Sequence, residues 1–180
     1  MGLDSYILKY PKIEGITPKD YEAALMQYRW LRYIKENPDD SQTTFHEFSG
    51  YDESVIPEEP MLSLIRSHFK NHRTFQEIIV VDEEVAYWRK VYFLHTWFVN
   101  YAQDGEDDCE FHRPLTKGML KDLVGMLDAC ARDVSKFYFF FPFDVDKADP
   151  IELTIYKDQI QNVIDNTDFE TEELYYLSSW

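Results

Sequence analysis

Residues 83–101 read Glu83-Glu84-Val85-Ala86-Tyr87-Trp88-Arg89-Lys90-Val91-Tyr92-Phe93-Leu94-His95-Thr96-Trp97-Phe98-Val99-Asn100-Tyr101. Trp88, Val91, Tyr92, His95, Phe98 and Val99 recur at helical spacing, and neither glycine nor proline interrupts them. The spacing predicts one amphipathic helix over 83–101, ended by Asp104-Gly105 and lying at the centre of the fold. Trp88, Phe98 and Trp97 are its expected core side chains.

Outward from this segment, Tyr6 and Leu8 alternate with Ile7 between Asp4 and Lys9, the period of a short strand. Thr17-Pro18 has the form of an N-cap followed by a first-turn proline, and Tyr21, Ala24, Leu25, Tyr28, Leu31 and Ile34 continue a helix to Asn37-Pro38. The polar stretch 39–58 lacks either period and reads as a flexible surface loop. A short helix follows over 60–71 through Met61, Leu64, Ile65 and Phe69, and 75–81 reads as a strand or a helix lead-in. Cys109 to Arg113 reads as a short strand. Thr116 caps a helix with Met119, Leu120, Leu123, Val124, Leu127 and Cys130 inward. The aromatic run 136–143, KFYFFFPF, suits a buried strand that Pro142 stops. Asp149-Pro150 opens a last helix, and 174–177 a last strand. About five helices with a small, mostly antiparallel sheet make the expected class α+β, organised as one domain over 1–180.

The chain has 180 residues, of which 44% are apolar and 17% aromatic, enough to fill a real core. Thirty-four acids against eighteen bases give a net charge of −16, which repels nucleic-acid phosphates and favours basic partners. Direct nucleic-acid binding is therefore not expected. Two cysteines, Cys109 and Cys130, are too few for a disulfide framework and suit a reducing cytoplasm. The opening MGLDSYILKYPK has no signal-peptide form, and no apolar run is long enough for a membrane span. Glycine-rich phosphate loops, the Gly-x-Ser-x-Gly elbow and His-Glu-x-x-His are all missing from the sequence.

Two features could still carry chemistry. Cys109-Glu110-Phe111-His112 has the short Cys-x-x-His spacing that a turn can fold around zinc, and His95 lies one helix away. An acid, Asp4 or Glu84, would complete the ligand set of His95, Cys109 and His112. The plainer reading makes His95 a hydrogen-bonded core residue and Cys109 a small hydrophobe. Separately, acids cluster at Asp104, Glu106, Asp107, Asp108 and Glu110, and again after position 143. Residues 144–180 hold ten acids, among them Asp144, Asp146, Glu170, Glu172 and Glu173, against Lys147 and Lys157. Such carboxylates can occupy a basic channel that normally holds nucleic-acid phosphates, or can simply confer solubility.

The motifs Gly2-Leu3-Asp4-x-Tyr6, Glu84-Val85-x-Tyr87-Trp88-Arg89-Lys90, His95-x-Trp97-Phe98-Val99, the Gly105 to Cys109 segment and Tyr175-Tyr176-x-Ser178-x-Trp180 span the chain and are densest from Glu84 to Cys109. Together they resemble a family of small proteins encoded by phages and prophages of Gram-positive bacteria. The resemblance keeps Asp4, Glu84, His95 and Cys109 as a candidate donor set, while His112 falls where relatives carry other residues. Small acidic phage proteins of this size are similar in character to anti-CRISPR inhibitors of type II-A systems. That likeness implies a Cas9 inhibitor, acting in the bacterial host cytoplasm, that blocks target-DNA loading without touching DNA. The alternative is a small metal-dependent hydrolase acting on a nucleotide or a host defence signal, with zinc as its cofactor, and a structural zinc in the binding protein would reconcile the two.

Overall fold

The computed structural model describes residues 2–40, 42–71, 79–142 and 149–180. Backbone packing divides the chain into two compact units, Met1–Lys12 with Glu83–Trp180, and Ile13–Asp82. The second unit is thus an insertion between the first strand and the segment quoted above. The class is α+β: among the described residues there are seven α-helices, a three-stranded antiparallel sheet and a two-stranded ribbon.

In the larger unit, β1 (Asp4–Pro11) runs between β4 (Glu83–Arg89) and β5 (Glu172–Ser179), antiparallel to both. Ile7 pairs with Ala86 on one side and with Tyr176 on the other, and a bulge follows between Ile7 and Leu8 on the β4 side. Alternation sends Ser5, Ile7, Trp88, Leu174, Tyr176 and Ser178 into the interior. Helix α4 (Tyr92–Ala102) lies against this face: the Phe98 ring stacks on Tyr176 at 4.5 Å and on Trp88 at 5.9 Å. Helices α5 (Lys117–Arg132) and α7 (Pro150–Asp165) close the core with Leu120, Leu123, Leu127, Leu153, Ile160 and Val163.

The segment 83–101 is therefore two elements rather than one helix. Its first seven residues form β4, and the chain turns at Lys90, which takes a left-handed φ of 59° while its N–H donates to the Leu3 carbonyl. A lysine rarely adopts that region, and the N-cap of α4, Val91, offers no side-chain cap, so neither usual boundary signal is written in the sequence. The expected core residues hold, with Trp88 and Trp97 each 3% exposed and Phe98 fully buried.

The aromatic run also departs from expectation. It forms a turn and a one-turn helix, α6 (Phe137–Phe140), with Phe137 and Phe141 four apart in the core against Phe93. A strand would have turned Phe139 inward with them, yet it is 79% exposed. Phe143 lies outside the described residues. Cys109–Arg113 is a loop, because Cys109 has a φ of 60° and the Asp108 carboxylate accepts from the Glu110 N–H, neither compatible with a strand.

In the inserted unit α1 (Pro18–Glu36) starts as read, with Thr17 and Asp20 forming a reciprocal capping box. The supposed loop 39–58 contains α2 (Phe45–Ser49), which has its own box from Thr44 and Glu47 and ends at Gly50 with a φ of 78°. Helix α3 (Met61–Ser67) is shorter than expected, and β2 (Lys70–Asn71) pairs with β3 (Ile79–Val80); residues 72–78 lie outside the described ones. Phe45 and Ile65, both fully buried, pack this unit together with Tyr21, Ala24 and Leu62.

Replacing Phe98 by Ala is expected to cost about 3–5 kcal/mol in a urea melt, through lost transfer energy and a cavity between α4 and the sheet. Phe139→Ala, at an exposed position, is expected to stay within about 0.5 kcal/mol of the parent.

Candidate functional site

The polar residues of the larger unit converge where α4, the loop after it and the C-terminal strand meet. His95 is 5% exposed, and both ring nitrogens are engaged: Nδ1 lies 2.7 Å from the Tyr176 hydroxyl and Nε2 lies 3.1 Å from Asp107 Oδ2. An ionised carboxylate only accepts, so Nε2 carries a hydrogen toward Asp107, and in the neutral ring Nδ1 accepts from Tyr176. Beyond it, Tyr176 Oη is 3.0 Å from Ser5 Oγ, and Ser178 donates toward the Cys109 sulfur at 4.0 Å. A chain of polar groups thus runs inward from Asp107 to the central strand. Burial, ahead of the nearby Asp107 charge, pushes the Tyr176 phenol far above the usual tyrosine range.

The loop that brings Asp107 to His95 is built by residues that bond its backbone. Gln103, fully buried, donates through Nε2 to the Glu110 carbonyl, and the Gly105 N–H donates back to Val99. Asp104 and Gly105 take left-handed φ values of 55° and 85°, which reverse the chain as Asp104-Gly105 predicted. The reversal exposes Asp104, Glu106, Asp107, Asp108 and Glu110 on one loop. Asp104 pairs with Arg113 at 3.3 Å. The C-terminal Trp180, 54% exposed, donates its indole N–H to Asp107 at 3.4 Å, sets its ring edge-on to His95 and lies beside Tyr92.

The proposed metal ligands fall in several places. His95 contacts Asp107, and Cys109 sits by Ser178. Asp4 accepts from the Tyr87 hydroxyl at 2.6 Å and faces Arg89 at 3.9 Å. Glu84 lines a shallow depression of about 280 Å³ with Gln159 and Asn162. His112 Nε2 is 3.0 Å and 3.1 Å from the two Asp108 oxygens, and that bond, ahead of the other causes, holds the Asp108 carboxyl below the usual range. Among the described residues, the group of three potential donors within 4.8 Å of one another is Glu106, Asp108 and His112.

Of the other acidic positions, Glu172 reaches Lys9 at 3.2 Å and caps the Asp168 N–H, and Glu173 accepts from Tyr175, while Glu170 is exposed. Asp144 and Asp146 lie outside the described residues. Sequence reasoning passed over Tyr176, Ser5 and Ser178 as polar partners. For Ser5 and Ser178 the signal was a small hydroxyl residue at an inward position of a strand, and for Tyr176 a phenol in the same alternation.

Comparison of the chain with family models, curated proteins and solved structures finds no match. No helix among the described residues is long and apolar enough to cross a membrane.

Because the Tyr176 phenol is raised in the folded state, the protein keeps a proton there that the unfolded chain loses above about pH 10. Its contribution is fully present below that pH and is lost as pH rises through the folded value. In an alkaline titration followed by tyrosinate absorbance, at least one tyrosine should ionise only with unfolding. Tyr176→Phe should remove that delayed fraction and cost about 1–3 kcal/mol by leaving buried partners unsatisfied.

Proposed function

We propose that this chain is a binding protein of the anti-CRISPR type, which docks its acidic face on a basic surface of a host nuclease and blocks loading of target DNA. The observation that carries this reading is the acidic loop over 104–110, anchored from beneath by buried Gln103 and bordered by the half-exposed rings of Trp180 and Tyr92. An interface needs both components. Carboxylates on a fixed backbone steer a basic partner and set register, whereas large aromatic rings at the centre supply most of the contact energy.

The partner we assign is a type II-A Cas9, whose channels for guide RNA and target DNA are basic, and the place of action is the bacterial cytoplasm. The net charge of −16 favours competition with DNA for such a channel and disfavours binding to DNA itself. The test is a cleavage assay with guide-loaded Cas9 in which the protein is added before or after target DNA. Inhibition is expected only when the protein is added first, and binding should weaken as salt rises. Glu106→Lys with Asp108→Lys should mainly slow association, and Trp180→Ala should mainly speed dissociation. Failure to bind or inhibit any type II-A nuclease would end this assignment.

A metal-dependent role is the second reading, favoured by the Glu106, Asp108 and His112 group. One imidazole and two carboxylates fit zinc while leaving a position open for water. If zinc is held there, a chelator should lower the melting temperature of the parent and leave that of His112→Ala unchanged.

A further inference from the structure

Helix α4 and the end of α6, with the two residues that follow it, flank an open groove of about 320 Å³. Its walls are Phe93, Trp97 and Tyr101 on one side and Phe139, Phe140 and Phe141 on the other, and no described lining residue is charged. The volume is at the lower end for ligand sites, enough for one side chain or a single ring system. Tyr101 stacks on Trp97 at 4.8 Å and remains 48% exposed, and Phe139 is 79% exposed, so both side chains are open to solvent.

Three observations define an occupant. Ring faces carry a negative quadrupole and attract a cation set over them. The Asn100 amide, in the groove wall, donates Nδ2 to the Thr96 carbonyl at 2.8 Å, leaving its oxygen as an acceptor. The surrounding protein carries −16, so a cationic group is drawn to this surface and an anionic one is repelled. A planar guanidinium satisfies all three, since it stacks on aromatic faces and donates in its own plane. Beneath the Tyr101 ring, the buried indole N–H of Trp97 has no acceptor among the described residues, which makes it a reporter of what enters the groove.

We infer that the groove receives an arginine side chain of a basic protein partner, the guanidinium stacking on Tyr101 and Phe139 and donating to Asn100 Oδ1. The assignment rests on the basic-partner reading above and adds a second, aromatic point of attachment to the acidic loop.

The test uses the full chain and a capped Gly-Arg-Gly peptide, followed by NMR of the Trp97 indole N–H, which Trp97→Phe identifies. Saturable binding is expected, weakened about five-fold or more when citrulline, the neutral counterpart, replaces arginine, as befits a cation on a ring. Phe139→Ala, at an exposed site where folding is not at risk, should weaken it similarly, and Asn100→Asp should strengthen it. Equal binding of the two peptides, no saturable binding, or indifference to Phe139→Ala would overturn the assignment. The two readings separate cleanly. Glu106→Lys with Asp108→Lys should abolish binding to the nuclease yet preserve peptide binding. Nuclease binding that tolerates Phe139→Ala removes the groove and keeps the docking loop, whereas peptide binding without nuclease binding does the reverse.

Discussion

One side chain, Tyr176, ties the sheet to the helix that crosses it. Its ring stacks on Phe98 at 4.5 Å with the planes 10° apart, and its hydroxyl meets His95 one turn earlier on the same helix. The ring contact fixes the height of α4 above β5, and the hydroxyl fixes its rotation. Neither could be satisfied by a helix turned by one residue, because Phe98 and His95 would leave the interface together. The position of the loop after α4 follows from the same constraint, since Asp107 is held by the far nitrogen of that imidazole.

This arrangement explains which parts of the fold could be read in advance. Thr17-Pro18, Thr116 and Asp149-Pro150 carry local signals, a capping side chain at each and a first-turn proline at the first and last, and the three helices begin there. Lys90 carries none. Its left-handed turn is supported by a hydrogen bond to Leu3, far away in sequence, and only pairing with β1 makes residues 83–89 a strand. The run 136–143 fails differently, since six aromatics in eight residues satisfy a strand, a helix or a turn equally well. Burial of Phe137 and Phe141 against Phe93 decides among them, and that is a tertiary fact.

The candidate site was legible in outline. His95 and the acidic loop are among its parts, and Asp104-Gly105 does turn the chain back along α4. What composition could not supply was the pairing: Asp107, counted only as surface charge, is the residue that meets His95, while Asp4 bonds Tyr87 and Arg89. A free cysteine and a histidine suggest a metal by ligand type alone, but the imidazole has two nitrogens and both already have partners in the protein.

The same accounting limits how the net charge can act. Many acids are committed to backbone and side-chain bonds: Asp20 and Glu47 in capping boxes, Asp52, Asp133 and Asp149 at helix starts, Asp168 in the turn before β5. A capping carboxylate keeps its charge, so it still contributes to the long-range field, but it cannot swing out to meet a partner without releasing a helix terminus. Steering therefore draws on the whole molecule, whereas close contact draws on the few acids whose carboxylates project from a fixed loop, Glu106 foremost. Short-range specificity toward a partner would then come from uncharged groups, and in the larger unit these include the exposed rings of Tyr92, Tyr101, Tyr138 and Phe139. Charge would set how often a partner arrives, and the rings would set how long it stays.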